Sequence, residues 1–341
     1  MTLARASFRD LSPYDPDDLR CKIDLSDNTN LWGAPPAARA ALSATDSAAL
    51  TRYPQPYSRE LTRMLAGYLG VDANMVIVGC GSDDLLDSAI RAFGEPGDTL
   101  AQLDPTFGMI RVFATVNGLA VTGYPVRQGA EALVGTDARI TYLCSPNNPT
   151  GEILDAKLIE SIVSRAKGLV IIDEAYAEFA GTSSIGLLAR YENVLVTRTL
   201  SKAFGLAGLR IGYAAGSPAI VHEVEKSRGP YKVTSLAERA AMAAMIHDRG
   251  WVDEKVEEAR TNRDRFTEAL RGLGLDPIES RANFVLLPVA DARKTGAAMA
   301  RSGIAVRQLE NLPGIGDALR ITIGPWSMME ECLAALETAL Q

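Results

Sequence analysis

Histidine is almost missing from this chain: His222 and His247 are the only two among 341 residues. A metal centre built on imidazole therefore has little to draw on, and none is expected. Cysteine is equally thin. Cys21, Cys80, Cys144 and Cys332 are scattered, without CxxC spacing, so reduced thiols are expected rather than a disulfide framework or a zinc site. Positive charge is outweighed, with 35 Lys and Arg against 42 Asp and Glu and a formal net charge of −7. That balance leaves no broad basic face for nucleic acid. No apolar run is long enough to span a bilayer, and the opening MTLARASFRDLSPYD lacks the apolar core of a signal peptide. The phosphate loop GxxxxGK[ST] and the dinucleotide fingerprint GxGxxG are also absent, which weakens nucleotide readings. A cytoplasmic protein, with neither membrane nor nucleic-acid partners, is the expectation.

What is present is a chain that can bury a large interior, 47% hydrophobic and 23% charged, long enough for one large and one smaller domain. The segment to about residue 33 is rich in Pro, Asp and Asn (LSPYDP, IDLSDNTNLWG) and reads as an extended arm lying against something else. A helix is expected from Ala34 to Leu50, then a rigid loop Tyr53-Pro54-Gln55-Pro56-Tyr57, then a helix capped by Ser58. From Met75 to Tyr213, apolar strands alternate with helical patterns. The strands are Met75–Val78, Leu100–Leu103, Ile140–Cys144, Leu169–Ile172 and Val194–Val196, followed by Ile211–Ala214. This pattern implies an α/β fold with a mainly parallel sheet covered on both faces, ligands lying beyond the carboxyl ends of the strands. After Pro230 come an Ala- and Met-rich helix (Ser235–Ile246) and a charged one (Val252–Leu273). Strands at Asn283–Pro288, Gly303–Arg307 and Ala318–Ile323 and a helix from Met328 complete a small α+β domain. The expected division is 1–33 for the arm, associated with the small domain and a dimer; 34–248 for the large domain; and 249–341 for the small one.

The chemistry gathers at strand ends. TRTLSKAFGLAGLRIG (Thr197–Gly212) sets Lys202 just past a buried strand among small residues. Poor solvation there favours the neutral amine, which can form a Schiff base with a carbonyl. Thr199, Ser201 and Arg210 are groups that hold phosphate, and a lysine beside a phosphate holder points to pyridoxal phosphate. Taken alone, the segment is better explained as a surface lysine in a Gly-rich turn; the rest of the chain reverses that reading. Gly79-Cys80-Gly81-Ser82-Asp83-Asp84 turns a strand into a helix whose first N–H groups bind phosphate, or is an ordinary turn with Ser82 as cap. Phe107, in DPTFG, belongs to the core or stacks on a flat ring. In SPNNPTG two prolines fix Asn148, offering a carboxamide to a phenolate-type oxygen. In VIIDEAY, Asp173 ends a buried strand and needs a cation. A protonated pyridine nitrogen meets that need, whereas a magnesium site would require the missing phosphate loop. Tyr176 is placed to share the ring oxygen with Asn148.

Together these stretches, with LSPYDP, RYPQP, GCGSDDLLDSAIRAF, NFVLL and ALRITIG, resemble the fold-type I pyridoxal-phosphate enzymes. Among the class I and II aminotransferases, the chain looks most like the histidinol-phosphate aminotransferases. The resemblance implies Lys202, Asp173 and Tyr176 as catalytic residues, with Lys202 holding the cofactor and shuttling the proton. It implies Ser82, Asp83, Ser201 and Arg210 around the phosphate, Phe107 over the ring where tyrosine is usual, and Asn148 and Tyr176 at the ring oxygen. For the substrate it implies Arg320 at the α-carboxylate, Arg307 and Tyr14 near a distal phosphate, and Asn30 and Asn148 close by. It also implies a homodimer, with Tyr53 reaching the neighbouring site. The implied reaction is ping-pong transfer from histidinol phosphate to 2-oxoglutarate. An aromatic amino acid donor and a threonine-phosphate decarboxylase are the alternatives, and a ligand-sensing domain of the same fold would carry a DNA-binding domain ahead of it. Two stretches depart from the usual pattern: Asn28-Thr29-Asn30-Leu31-Trp32-Gly33, and Pro325-Trp326-Ser327 after ITIG. Both are expected near the substrate, where Trp32 and Trp326 would favour an apolar or aromatic side chain.

Overall fold

A computed structural model describes residues 3–9, 11–13, 21–126 and 129–340. The first strand, β1 (Ile23–Leu25), belongs to the arm. Seven strands then build one sheet: β2 (Val76–Cys80), β3 (Thr99–Asp104), β4 (Ala120–Pro125), β5 (Ile140–Cys144), β6 (Leu169–Asp173), β7 (Val194–Thr199) and β8 (Ile211–Gly216). Their order is β2-β8-β7-β6-β5-β3-β4. Only β8 runs against its neighbours β2 and β7; the other pairs are parallel.

Strands β5 to β8 are buried along their whole length, and alternation sends successive side chains into two cores. Leu143, Ile172 and Val196 enter one, and Tyr142, Ile171 and Leu195 the other. The sequence shows no signal for β4 because it is an edge strand, half-exposed and short of apolar residues. The expected helix over 34–50 is split into Pro36–Ser43 and Ala48–Thr51, with Asp46 accepting the Ala49 amide at 3.0 Å between them. Ser58 does not cap its helix. Its φ is +44° and its side chain makes no capping bond. Ser82 is not a cap either: the helix Gly81–Phe93 starts one residue earlier, and Asp84 reaches back to the Cys80 amide at 3.0 Å.

The remaining strands, β9 (Phe284–Pro288), β10 (Ile304–Leu312) and β11 (Gly316–Thr322), form a four-stranded sheet in the order β1-β10-β11-β9. The arm thus enters this sheet as an edge strand, Ile23 pairing in parallel with Ile304. Phe266 and Leu270 of the long helix Arg249–Gly272 pack beneath it with Val285, Ile321, Cys332 and Leu336. The class is α/β: a mainly parallel sheet beside a smaller α+β layer.

Two glycines fix the junction of β2, β8 and the Gly81 helix. A Cβ on Gly212 would lie 2.2 Å from the Ser82 nitrogen, and one on Gly81, whose φ is +79°, would lie 2.5 Å from Arg210 Nη2. Gly67, in the helix Arg59–Leu69, has nothing within 4 Å of a Cβ. Gly212→Ala is therefore expected to lower the melting temperature in thermal denaturation. Gly67→Ala should raise stability by about 0.5–1 kcal/mol.

Candidate active site

Where β3, β5, β6 and β7 end, their following loops wall a cavity of about 400 Å³, closed from the other side by residues 27–28 and Arg320. Ser82, Asp83, Phe107, Asn148, Asp173, Tyr176, Ser201, Lys202, Arg210 and Arg320 all line it. Every proposed cofactor-holding position therefore falls in one space.

The first turn of the Gly81 helix, with Ser82 and Asp83, lines the cavity together with Ser201 and Arg210. Arg210 sits in a left-handed turn at φ +52°, its Nη2 3.3 Å from Asp83 Oδ2. Burial raises the Asp83 carboxyl, and Arg210 and Lys202 oppose that rise. Helix amides, two hydroxyls and a guanidinium form a cradle for a phosphate dianion. An Asp83 carboxylate cannot donate to phosphate, so its backbone is the only part suited to that task.

Lys202 Nζ donates to the Asp27 carbonyl at 3.1 Å. Burial, and then the Arg320 cation, push its amine down to about 8. The amine is thus neutral, and nucleophilic, at a pH where an ordinary lysine is charged.

Asp173 shares the cavity and behaves in the opposite sense. It is 3% exposed. It accepts from Tyr142 at 2.8 Å and from Thr197 and the Ala175 amide at 3.2 Å each. Despite these bonds, burial pushes its carboxyl up from 3.8 to about 6. Its neighbour Glu174 is as deeply buried but is held by Arg198 at 2.8 Å. Among the described residues no cation lies within ion-pair distance of Asp173. A buried carboxylate that faces the cavity with no cation within ion-pair distance among the described residues fits a cationic ring nitrogen there.

Asn148 Oδ1 accepts from Arg320 Nη1 at 2.6 Å, which leaves its amide N–H₂ to donate elsewhere. Arg320 Nη2 donates to the Ser26 carbonyl at 2.8 Å. The Tyr176 hydroxyl accepts from Asn28 Nδ2 at 3.0 Å, and burial pushes its phenol up to about 12. Phe107 lines the cavity while packing on the core that holds Ile110 and Cys144.

Other expected substrate residues lie apart. Asn30 does not line the cavity; its amide donates to the Ala203 carbonyl at 3.1 Å and accepts from the Trp32 amide. The turn at Asn28, φ +59°, puts residue 28 on the cavity wall instead. Trp32 and Trp326 are likewise outside it. Trp32 is wedged between the core of the seven-stranded sheet and that of the four-stranded one. Trp326 lies under Arg265, 3.5 Å from the ring centroid, and donates to Glu330. The expected apolar or aromatic bias from these indoles therefore has no geometric basis. Tyr53 is 83% exposed and stacks on Tyr231 at 5.0 Å. Arg307 stands directly opposite Arg320 in the β10–β11 register. Tyr14 lies outside the described residues.

Sequence reasoning did not single out Asp27, Asn28, Tyr142 or Thr197. For Tyr142 a signal existed: a hydroxyl at the same strand parity as the cavity-lining Cys144, whereas the neighbouring Thr141 has the opposite parity. Asp27 and Asn28 act through a carbonyl and a turn, which composition does not reveal.

Carboxylate, amine, hydroxyls and guanidinium at the carboxyl edge of a mainly parallel sheet define a group-transfer enzyme acting on a small molecule. The model of the family Aminotransferase class I and II matches residues 20–336, and the chain belongs to that family. A histidinol-phosphate aminotransferase from Nostoc sp. is 33% identical over 94% of this chain and 92% of its own length. Histidinol-phosphate aminotransferase from Sinorhizobium meliloti, solved with pyridoxal-5'-phosphate, superposes with a TM-score of 0.90 at 24% identity, covering 100% of this chain and 98% of that one. L-threonine-O-3-phosphate decarboxylase from Porphyromonas gingivalis has the same fold, with a TM-score of 0.83 at 24% identity over 93% of this chain and 99% of that one.

Because Asp173 holds its proton more tightly in the folded chain, its contribution to stability is present below pH 3.8 and lost as pH rises through about 6. The loss amounts to about 3 kcal/mol. Cofactor-free Asp173→Asn should melt several degrees above the cofactor-free wild type at pH 8. In paired thermal scans the gap should narrow as pH falls toward 5.

Proposed function

We propose that the protein is a pyridoxal 5'-phosphate-dependent aminotransferase that carries the amino group of histidinol phosphate to 2-oxoglutarate in two half-reactions. The observation that carries this reading is the pairing, in one cavity, of an amine with lowered proton affinity and a cation-less buried carboxylate with raised affinity.

Bound there, the cofactor supplies an aldehyde carbon and a ring that withdraws electrons from the substrate Cα. Lys202 would hold the aldehyde, Arg210, Ser82, Ser201 and the helix amides the phosphate, and Phe107 the ring face. Asn148 and Tyr176 would donate to the ring oxygen. Asp173, kept in place by Tyr142 and Thr197, would hold the ring-nitrogen proton, and that cation returns its carboxyl to the ionised form. Lys202 Nζ is the base that takes up the Cα proton and gives it back.

Arg320 and Arg307 face each other across β10 and β11 and so share one face of that sheet. Two neighbouring cations suit a donor bearing a phosphate and an acceptor bearing carboxylates better than a neutral aromatic side chain. The names of the full-length relatives point the same way. The exposed Tyr53 supports a homodimer in which that residue reaches the neighbouring site.

Lys202→Ala should fold yet lose transamination by at least about 10³-fold, and borohydride should trap the cofactor on wild-type Lys202 alone. In single turnovers, histidinol phosphate should convert the bound cofactor to its amine form faster than tyrosine or phenylalanine does. Carbon dioxide released from threonine phosphate, with no amine form, would replace this reading with the decarboxylase.

A further inference from the structure

Tyr176 has a partner whose orientation is fixed by a buried network. Asn28 is 1% exposed and Thr322, the last residue of β11, is fully buried. Thr322 Oγ1 accepts from the Asn28 backbone N–H at 3.0 Å and donates to Asn28 Oδ1 at 3.3 Å. In this arrangement Oδ1 is the accepting end of the amide and Nδ2 the donating end. Nδ2 faces Tyr176 and donates to its hydroxyl at 3.0 Å. The Asn28 carbonyl is tied in turn by Asn283 Nδ2 at 3.1 Å. The side-chain donors run in one direction, Thr322 to Asn28 and Asn28 to Tyr176, while the Asn28 backbone N–H donates back to Thr322. With an N–H already on its oxygen, Tyr176 has its proton left to give, and it lines the cavity. The left-handed turn at Asn28, φ +59°, is a conformation that asparagine tolerates better than most residues.

We infer that Asn28 is a positioning residue: it holds the Tyr176 hydroxyl as a donor into the cavity and makes that direction depend on the packing of the four-stranded sheet through Thr322. The inference rests on the reading that a cofactor ring oxygen occupies the cavity beside Tyr176. Ser26 and Asp27 strengthen it, since their carbonyls accept from Arg320 and Lys202. Three consecutive residues of the arm therefore each touch a different group of the site.

A donor at the ring oxygen competes for the lone pair that retains the neighbouring proton of the bound chromophore. Losing the donor moves the midpoint of the chromophore's pH titration upward. Asn28→Gly keeps the left-handed turn and removes the amide. Spectrophotometric titration of the holoenzyme should show a midpoint raised by about one pH unit in Tyr176→Phe and by less in Asn28→Gly. The double variant should match Tyr176→Phe alone. In the cofactor-free protein, denaturant unfolding of the same four chains should show the two substitutions coupled by about fivefold in the equilibrium constant. An unshifted Asn28→Gly midpoint, or shifts that simply add in the double variant, overturns the inference while wild-type trapping at Lys202 leaves the cofactor reading intact. Additive unfolding in the cofactor-free chains removes the contact itself. Failure of the wild type to bind pyridoxal phosphate removes the cofactor reading and the inference together.

Discussion

Desolvation of one carboxylate organises this molecule. Asp173 and Glu174 are adjacent and almost equally buried, yet Glu174 has Arg198 while Asp173 has only hydroxyls and one amide. Hydrogen bonds from neutral donors lower the cost of a buried charge but do not cancel it. The site therefore retains an unmet demand for positive charge, and the cavity is where that demand can be met. The same dryness acts on Lys202 with the opposite sign and releases a neutral amine. One environment thus shifts the proton affinities of an amine and a carboxylate in opposite directions.

The sheet makes this possible. Strands buried on both faces have ends that emerge from a dry interior, so a residue at the end or up to three positions past it inherits low solvation without losing access to ligand. Asp173 closes β6, and Lys202 lies three residues beyond β7. Opposite them the arm and β11 supply carbonyl and amide contacts, so the cavity has one wall from each sheet.

The large sheet was readable because its strands are continuous apolar runs and the chemistry follows them directly. The edge strand β4 was not, since a half-exposed strand need not carry such a run. The split of the helix over residues 34–50 and the failure of Ser58 as a cap are local outcomes of backbone turns with no compositional mark. The positions that line the cavity were legible because they closely follow apolar strands or, for Arg210, directly precede one. The arm was misjudged in a particular way. Asn30 and Trp32 have the more conspicuous side chains, but the turn at Asn28 decides which residue reaches the cavity. Trp32 serves to join two hydrophobic cores. Arg307 and Arg320 gain meaning only from their register, which the loop between their strands determines.

The pairing of Ile23 with Ile304, and of Asn28 with Thr322, has a kinetic side. Contacts between residues nearly three hundred positions apart are among the last to form, because loop closure must precede them. During synthesis the amine at position 202 therefore emerges well before the strands that cover it. A nascent chain halted before residue 304 would lack both the strand that pairs with the arm and Arg320, and with them the cavity wall opposite that amine.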